Sequence, residues 1–201
     1  LLELEYTKAF TYYKIGLCYK EMKQWASALS VFQQSLREDP QFYMSMMEQS
    51  DVYYEMHKYE EALYFAKEAV SFSEANLDYQ KKLAFLYIDD GKFEESISCL
   101  KKIVEMEPDR FYNWYAYSEV LMLIGEYEEA VSLLEKALKQ HHRAELFYQM
   151  SNCYFHLKEE QKAKDFLEIA IDLDPSLSED MQQKYPHIRE EVKNIIKNKR
   201  Q

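Results

Sequence analysis

Apolar residues near the start of the chain recur at the spacing of one helix face. The first set falls at positions i, i+3, i+4 and i+7 and comprises Tyr12, Ile15, Gly16 and Tyr19. The second set follows at the same 4,3 spacing and comprises Ala28, Phe32 and Ser35. This pattern predicts two consecutive helices whose backbones approach closely where the small Gly16 and Ala28 lie.

The same pattern repeats along the chain with a period of about 34 residues. One series of small residues has spacings of 34, 34, 34 and 33: Gly16, Ser50, Ala84, Ser118 and Ser151. A second small series lies twelve residues behind the first: Ala28, Ala62, Ser96, Ala130 and Ala163. Two series with one period indicate a true structural repeat.

Turn-forming residues are scarce and occur at fixed places in the repeat. The chain has three glycines and four prolines, too few for the frequent turns of a sheet protein. Gly91 and Gly125 fall between the two predicted helices, where a left-handed C-cap is expected. Pro40, Pro108 and Pro175 fall where second helices end. An all-α fold is therefore predicted.

These residues resemble the tetratricopeptide repeat pattern W-x2-L-G-x2-Y, followed by a small residue, F, a small residue and P. The fifth copy matches through Phe147, Met150, Ser151, Tyr154, Ala163, Leu167, Ala170 and Pro175. The resemblance covers five copies, at residues 9–42, 43–76, 77–110, 111–143 and 144–177. It implies an all-α, right-handed α-solenoid of helix-turn-helix repeats.

Both ends of the chain suggest further helices. Residues 1–8 look like the remnant of a preceding repeat's second helix, so we expect a separate helical stub there and a longer array. Residues 178–201 are expected to form C-terminal capping helices. The apolar face of the last helix comprises Ile188, Val192, Ile195 and Ile196.

Charge and cysteine usage narrow the class of partner. The formal net charge of −11 speaks against nucleic acid or an anionic membrane surface. No apolar run approaches the length of a membrane span. The three cysteines are odd in number and form no CxxC pair, which favours a reducing, cytoplasmic location.

The sequence gives no sign of an enzyme, a cofactor or a metal centre. GxSxG, GxxxxGK[ST] and HExxH motifs are all missing from the chain. The adjacent His141 and His142 would point about 100° apart on a helix, so they do not converge on a metal. We expect both to be exposed in a loop.

Function then depends on the surface that the first helices present. The family resemblance implies that they line a concave groove, using positions 2, 5, 9 and 12 of each repeat. The residues expected to contact a partner are Tyr13, Met47, Asp51, Tyr54, Lys81, Phe85, Tyr112, Tyr115, Glu119, Tyr148 and Asn152. Such aromatic and aliphatic residues anchor interfaces, although some are expected only to pack between repeats. The Lys/Asn pair of chaperone-tail carboxylate clamps is missing, so that role is not expected.

Two functions remain open at this stage. The first is a protein–protein interaction scaffold that holds a peptide or helix of a partner in the groove. The second is a regulatory or structural repeat region of a longer protein, such as a sensor kinase or a transcriptional regulator, whose active domain lies outside this chain.

Overall fold

The computed structural model describes the backbone of residues 2–199 and the side chains of residues 7–197. Within that range the chain is all α-helical, with no strand, as predicted. It divides into two compact units, residues 1–99 (unit 1) and residues 100–201 (unit 2).

Unit 1 contains five helices and the first half of a sixth. They are α1 (Leu2–Glu21), α2 (Trp25–Glu38), α3 (Tyr43–Glu55), α4 (Tyr59–Phe72), α5 (Leu77–Asp89) and α6 (Phe93–Met106). The helices α1 and α2 form an antiparallel pair, and α3 and α4 form the next pair.

Unit 2 contains the second half of α6 and the remaining helices. They are α7 (Phe111–Leu123), α8 (Tyr127–Leu138), α9 (Ala144–His156), α10 (Glu160–Leu173), α11 (Ser178–Lys184) and α12 (Arg189–Lys199). Short 3-10 turns at Pro175–Leu177 and Pro186–Ile188 precede α11 and α12.

The small-residue series mark close contacts between the two helices of a pair. A Cβ atom on Gly16 would lie 2.4 Å from the ring of Phe32, so a larger residue there would require that ring to move. In the second pair the Ser50 hydroxyl donates to the Ala62 carbonyl at 2.7 Å, and in the fifth Ser151 donates to Ala163 at 2.8 Å. The sequence period therefore corresponds to a repeated helix–helix contact.

The turn inside every helix pair has a residue with left-handed backbone at the same position. Its φ is 71° at Gly91 and 86° at Gly125, as the sequence predicts. The equivalent residues in the other pairs, Lys23, His57 and Lys158, have φ of 55°, 58° and 61° although they are not glycine. Each turn closes with a bond from the next N–H to the carbonyl five residues earlier, such as Gln24 to Tyr19 at 2.9 Å.

The predicted stub before the first repeat is not a separate helix. Helix α1 runs unbroken from Leu2 to Glu21, because the stretch around Thr7–Ala9 contains no glycine or proline that would end a helix. Leu1, Arg200 and Gln201, which the predicted end segments include, lie outside the described residues.

The C-terminal helices pack against the helix pair of the last repeat. Met181, Tyr185, Ile188, Val192 and Ile195 form one buried cluster with residues of α9 and α10. The members from α9 and α10 are Phe147, Tyr148, Leu167, Ala170 and Ile171. The apolar face of α12 therefore has a partner within unit 2.

Candidate functional site

The predicted contact residues divide between the two units. Six belong to the first helices of unit 1: Tyr13, Met47, Asp51, Tyr54, Lys81 and Phe85. Five belong to the first helices of unit 2: Tyr112, Tyr115, Glu119, Tyr148 and Asn152. The two sets differ in what surrounds them.

A network of four charged side chains joins the first helices of unit 1. The Lys20 ammonium on α1 donates to Glu48 at 2.5 Å and to Asp51 at 2.8 Å, both on α3. The Lys82 ammonium on α5 also donates to Asp51, at 2.7 Å. Burial acts to lower the pKa of Lys20, but its hydrogen bonds to Asp51 and Glu48 outweigh burial and raise that pKa above its usual value. The network fixes α1, α3 and α5 relative to one another.

Two aromatic side chains lie beside this network and remain open to solvent. Lys82, Phe85 and Asp89 are spaced i, i+3 and i+7, so they follow one face of α5. Lys82 contacts Asp51, and Asp89 accepts a hydrogen bond from the Tyr54 hydroxyl at 2.8 Å, so this face of α5 meets α3. Phe85 lies between these two contacts and is 57% exposed. We call this set, Asp51, Tyr54, Lys82, Phe85 and Asp89, the open face.

The other predicted residues of unit 1 mainly pack. The Tyr13 ring is half-buried, and its centroid lies 5.7 Å from that of Phe42 and 6.3 Å from that of Phe32. Met47 is fully buried, so the prediction that it projects from a groove is wrong. Lys81, next to Lys82, is half-buried.

In unit 2 a lysine from the C-terminal segment occupies the predicted surface. The Lys184 ammonium donates to the Tyr115 hydroxyl at 2.6 Å, and it forms an ion pair with Glu119. It also lies 4.8 Å from the centre of the Tyr115 ring and 5.9 Å from that of Tyr185. Burial acts to lower the pKa of Lys184, but bonds to Glu119 and Tyr115 outweigh it and raise that pKa. We call Tyr115, Glu119 and Tyr185 the ammonium pocket.

Two further predicted residues of unit 2 are buried, so their predicted exposure is wrong. Tyr148 belongs to the cluster that the C-terminal helices complete, and burial raises its pKa to about 12. Asn152 is also buried, and its amide nitrogen donates to the Met122 sulfur at 3.2 Å. Tyr112, near the start of α7, is exposed.

Four of the charged partners were not predicted from the sequence, namely Glu48, Lys82, Asp89 and Lys184, although a signal exists for Lys82. Lys20 and Asp51 are 31 residues apart, and so are Asp51 and Lys82. The buried bond from Ser118 to Gln149 spans 31 residues as well. A register of 31, which is one period minus three, therefore relates facing residues on neighbouring first helices. It would have identified Lys82; Glu48 lies one helical turn before Asp51, and nothing local marks Lys184.

The described part of the chain contains neither a metal-binding cluster nor a helix that could span a membrane. Among residues 7–197, no three histidine, cysteine or acidic side chains are placed to hold a metal ion. The expected exposure of both loop histidines holds for His142 only: His141 is half-buried and its Nε2 lies 2.8 Å from the Pro108 carbonyl oxygen. No described helix has the length and hydropathy needed to cross a bilayer.

Comparison with protein families finds two matches. The tetratricopeptide repeat family matches residues 9–42. The family described as anaphase-promoting complex, cyclosome, subunit 3 matches residues 89–170. No curated protein sequence matches the chain.

Solved structures share the architecture at low sequence identity. YrrB, described as a TPR protein with an unusual peptide-binding site, is 21% identical with a TM-score of 0.70, over 84% of this chain and 87% of its own. MamA is 14% identical with a TM-score of 0.73, over 86% of this chain and 94% of its own. This likeness concerns the fold. With the helix pairs, the sequence period and both family matches, it shows that the chain is built from tetratricopeptide-type repeats.

Proposed function

We propose that the chain is a protein-interaction scaffold, and that the open face of unit 1 binds a segment of a partner protein. The observation that carries this proposal is the exposed Phe85 ring. It lies on α5, and polar contacts at Lys82 and at Asp89, before and after Phe85 in the chain, hold this helix to α3. A large apolar side chain on a fixed frame is the usual form of an interface anchor.

The surroundings of Phe85 indicate what kind of segment would fit. Tyr54 adds a second exposed ring, so an aliphatic or aromatic side chain of the partner would lose its water against both. The carboxylate of Asp51 already has two lysine partners, so it adds little attraction of its own. The net charge of −11 favours a segment whose remaining residues are basic.

Relatives give this proposal its second support. YrrB is described as having a peptide-binding site, and its fold is similar along most of both chains. We extend peptide binding to this chain as part of the proposal, together with a non-enzymatic role. A cytoplasmic location belongs to the same proposal, supported by three cysteines that are all free thiols.

The test compares two exposed aromatic residues of unit 1. Peptides are selected from a displayed random library on the wild-type protein, and their affinities are measured by calorimetry for Phe85→Ala and for Tyr64→Ala. Tyr64 is 58% exposed on the second helix α4, so it matches Phe85 in exposure but lies outside the open face. Phe85→Ala should weaken binding about tenfold or more, as expected for an anchor.

Tyr64→Ala should leave the affinity unchanged, and circular dichroism should show equal helicity for all three proteins. Equal affinity for wild type and Phe85→Ala would contradict the proposal. Loss of binding in Tyr64→Ala alone would assign the interaction to the second helices instead.

A further inference from the structure

The ammonium pocket of unit 2 surrounds one cation from several sides. Lys184 contacts the Tyr115 hydroxyl and the Glu119 carboxylate, and its ammonium lies 4.8 Å and 5.9 Å from the centres of the Tyr115 and Tyr185 rings. A tyrosine hydroxyl accepts a hydrogen bond from an ammonium group, and a carboxylate forms a charge-assisted hydrogen bond with it. Together these groups recognise an alkylammonium ion, whichever chain supplies it.

The lysine in this pocket is not what holds the C-terminal segment in place. Met181 and Tyr185 are buried in the apolar cluster of unit 2, whereas the Lys184 side chain is 40% exposed. The four-carbon stem of lysine is flexible, and its charge is easily hydrated. Lys184 can therefore swing into solvent while α11 remains docked through Met181 and Tyr185.

The docked segment also leaves a polar group without a partner. The Tyr148 hydroxyl is buried in the same cluster and has no hydrogen-bond partner among the described residues. An unpaired buried hydroxyl is unfavourable, so the docked arrangement is less stable than a fully satisfied one. This weakness favours exchange of the segment's contacts.

We propose that the ammonium pocket is a lysine-binding subsite for a partner, and that Lys184 fills it as an internal substitute when no partner is bound. A lysine of the partner displaces the Lys184 side chain and takes over its contacts with Tyr115 and Glu119. This inference rests on the proposed function, because it requires that the chain act as a scaffold for a partner protein.

A purely structural ion pair would behave differently. If Lys184 serves only to fasten α11, its removal weakens the segment and leaves no site that a free lysine fills. If the pocket is a subsite, its removal opens a site with measurable affinity for an alkylammonium ion. The two interpretations therefore differ in ligand binding rather than in stability.

The experiment uses the full chain carrying Lys184→Ala, with Nα-acetyl-lysine methylamide as the probe. Binding is followed by NMR on protein with 13C-labelled tyrosine rings, and the Tyr115 signal is assigned by comparison with Tyr115→Phe. The matched control ligand is the norleucine analogue, which keeps the carbon chain and lacks the charge. The matched control protein is Lys184→Ala with Glu119→Gln.

The lysine probe should shift the Tyr115 signal of Lys184→Ala in a saturable way, and the norleucine analogue should not. The wild-type chain should bind the probe at least about tenfold more weakly if Lys184 fills the pocket nine-tenths of the time. Glu119→Gln should abolish the saturable shift. In the wild-type chain labelled with 13C at its lysine side chains, high probe concentrations should move the Lys184 signals to their free values, which provides a test that does not require the variant to fold.

A Tyr115 signal that does not respond to the probe, or that responds equally to norleucine, would overturn the inference. Equal probe affinity for wild type and Lys184→Ala would also overturn it, because Lys184 would then not be a competitor. Neither result bears on Phe85, so failure here is distinct from failure of peptide binding at the open face.

Discussion

The first helices of both units carry an acidic residue at the same repeat position, but its carboxylate pairs with lysines from different parts of the chain. Asp51 in unit 1 and Glu119 in unit 2 are 68 residues apart, two periods, and so occupy equivalent repeat positions. Asp51 is paired by Lys20 and Lys82, which belong to neighbouring first helices of the same unit. Glu119 is paired by Lys184, which belongs to the segment after the last repeat.

The carboxylate of Asp51 therefore has a structural role, whereas that of Glu119 is available to a partner. The lysines around Asp51 are part of the repeat frame, so the open face offers a partner its aromatic rings more than its charges. The lysine at Glu119 comes from a side chain that can leave, so the pocket offers a partner a carboxylate. Equivalent positions in a repeat protein therefore acquire different roles from their neighbours rather than from their own residue type.

The largest effect should come from removing the buried anchor of the C-terminal segment. Ile188 is fully buried in the cluster of unit 2, so Ile188→Ala should cost about 2–5 kcal/mol of unfolding free energy. Hydrogen exchange followed by mass spectrometry should show faster exchange in α9 through α12. The matched control is Ile15→Ala, an exposed isoleucine of unit 1, which should cost under about 1 kcal/mol. Equal costs for the two variants would show that the segment is not an integral part of unit 2.

A smaller effect should distinguish the two carboxylates. Asp51→Asn removes two ion pairs from a partly buried network, so it should cost about 1–3 kcal/mol. Glu119→Gln removes a single ion pair, in which both side chains are at least one third exposed, so it should cost under about 1 kcal/mol. Urea unfolding of both variants measures this difference. The double variant Glu119→Gln with Lys184→Ala checks whether loss of the Glu119–Lys184 ion pair accounts for the cost of Glu119→Gln. A larger cost for Glu119→Gln would reverse the assignment of structural and available charge.

A change of comparable or lesser size should come from the turns, and it should be alike in both units. Lys23 and Lys158 adopt left-handed backbone, which costs about 1–2 kcal/mol for a residue with a Cβ atom. Glycine avoids that cost but loses about 0.5–1 kcal/mol of chain entropy. Lys23→Gly and Lys158→Gly should therefore each stabilise the protein by under about 1 kcal/mol, measured as a rise in the urea midpoint. The control Gly125→Ala should destabilise it, and a destabilising Lys158→Gly would show that the lysine side chain contributes there.

The smallest effect should be a pH dependence confined to unit 2. Burial and the neighbouring His156 lower the pKa of His187, whose ring lies 5.0 Å from that of His156 and also contacts Phe155 and Tyr185. The folded state then binds fewer protons than the unfolded state, so this contribution is fully present above about pH 6.5 and is lost as pH falls below it. Thermal melts at pH 7.5 and 5.5 should differ more for wild type than for His187→Gln. An equal difference would assign the pH dependence to other groups.

The fold could be predicted because its signals are local and repeated. The close contact of Gly16 with Phe32 and the left-handed Gly91 both follow from residue types that tolerate few alternatives. Lys23, His57 and Lys158 could be recognised as left-handed only through the period, which aligns them with Gly91 and Gly125, because their conformation is imposed by the hydrogen bonds of the turn rather than by the residue type.

The site was only partly predictable because exposure depends on distant neighbours. Phe85 and Tyr148 have the same residue class and both lie on first helices, yet Phe85 is open and Tyr148 is covered by the C-terminal segment. The contact of Tyr115 with Lys184 joins residues 69 positions apart, outside the repeat period. A period indicates which side of a helix faces inward, but it carries no information about what a non-repeating segment covers.

The burial of the cysteines has a practical consequence for labelling chemistry. Cys18 on α1 is exposed, whereas Cys99 and Cys153 are buried, and burial raises the pKa of Cys153 to about 12. An accessible thiolate attacks a maleimide reagent, so at neutral pH Cys18 should be modified first. A fluorophore or spin label therefore enters unit 1 near Lys20 without any substitution, and it leaves the tyrosine rings of the ammonium pocket unaltered.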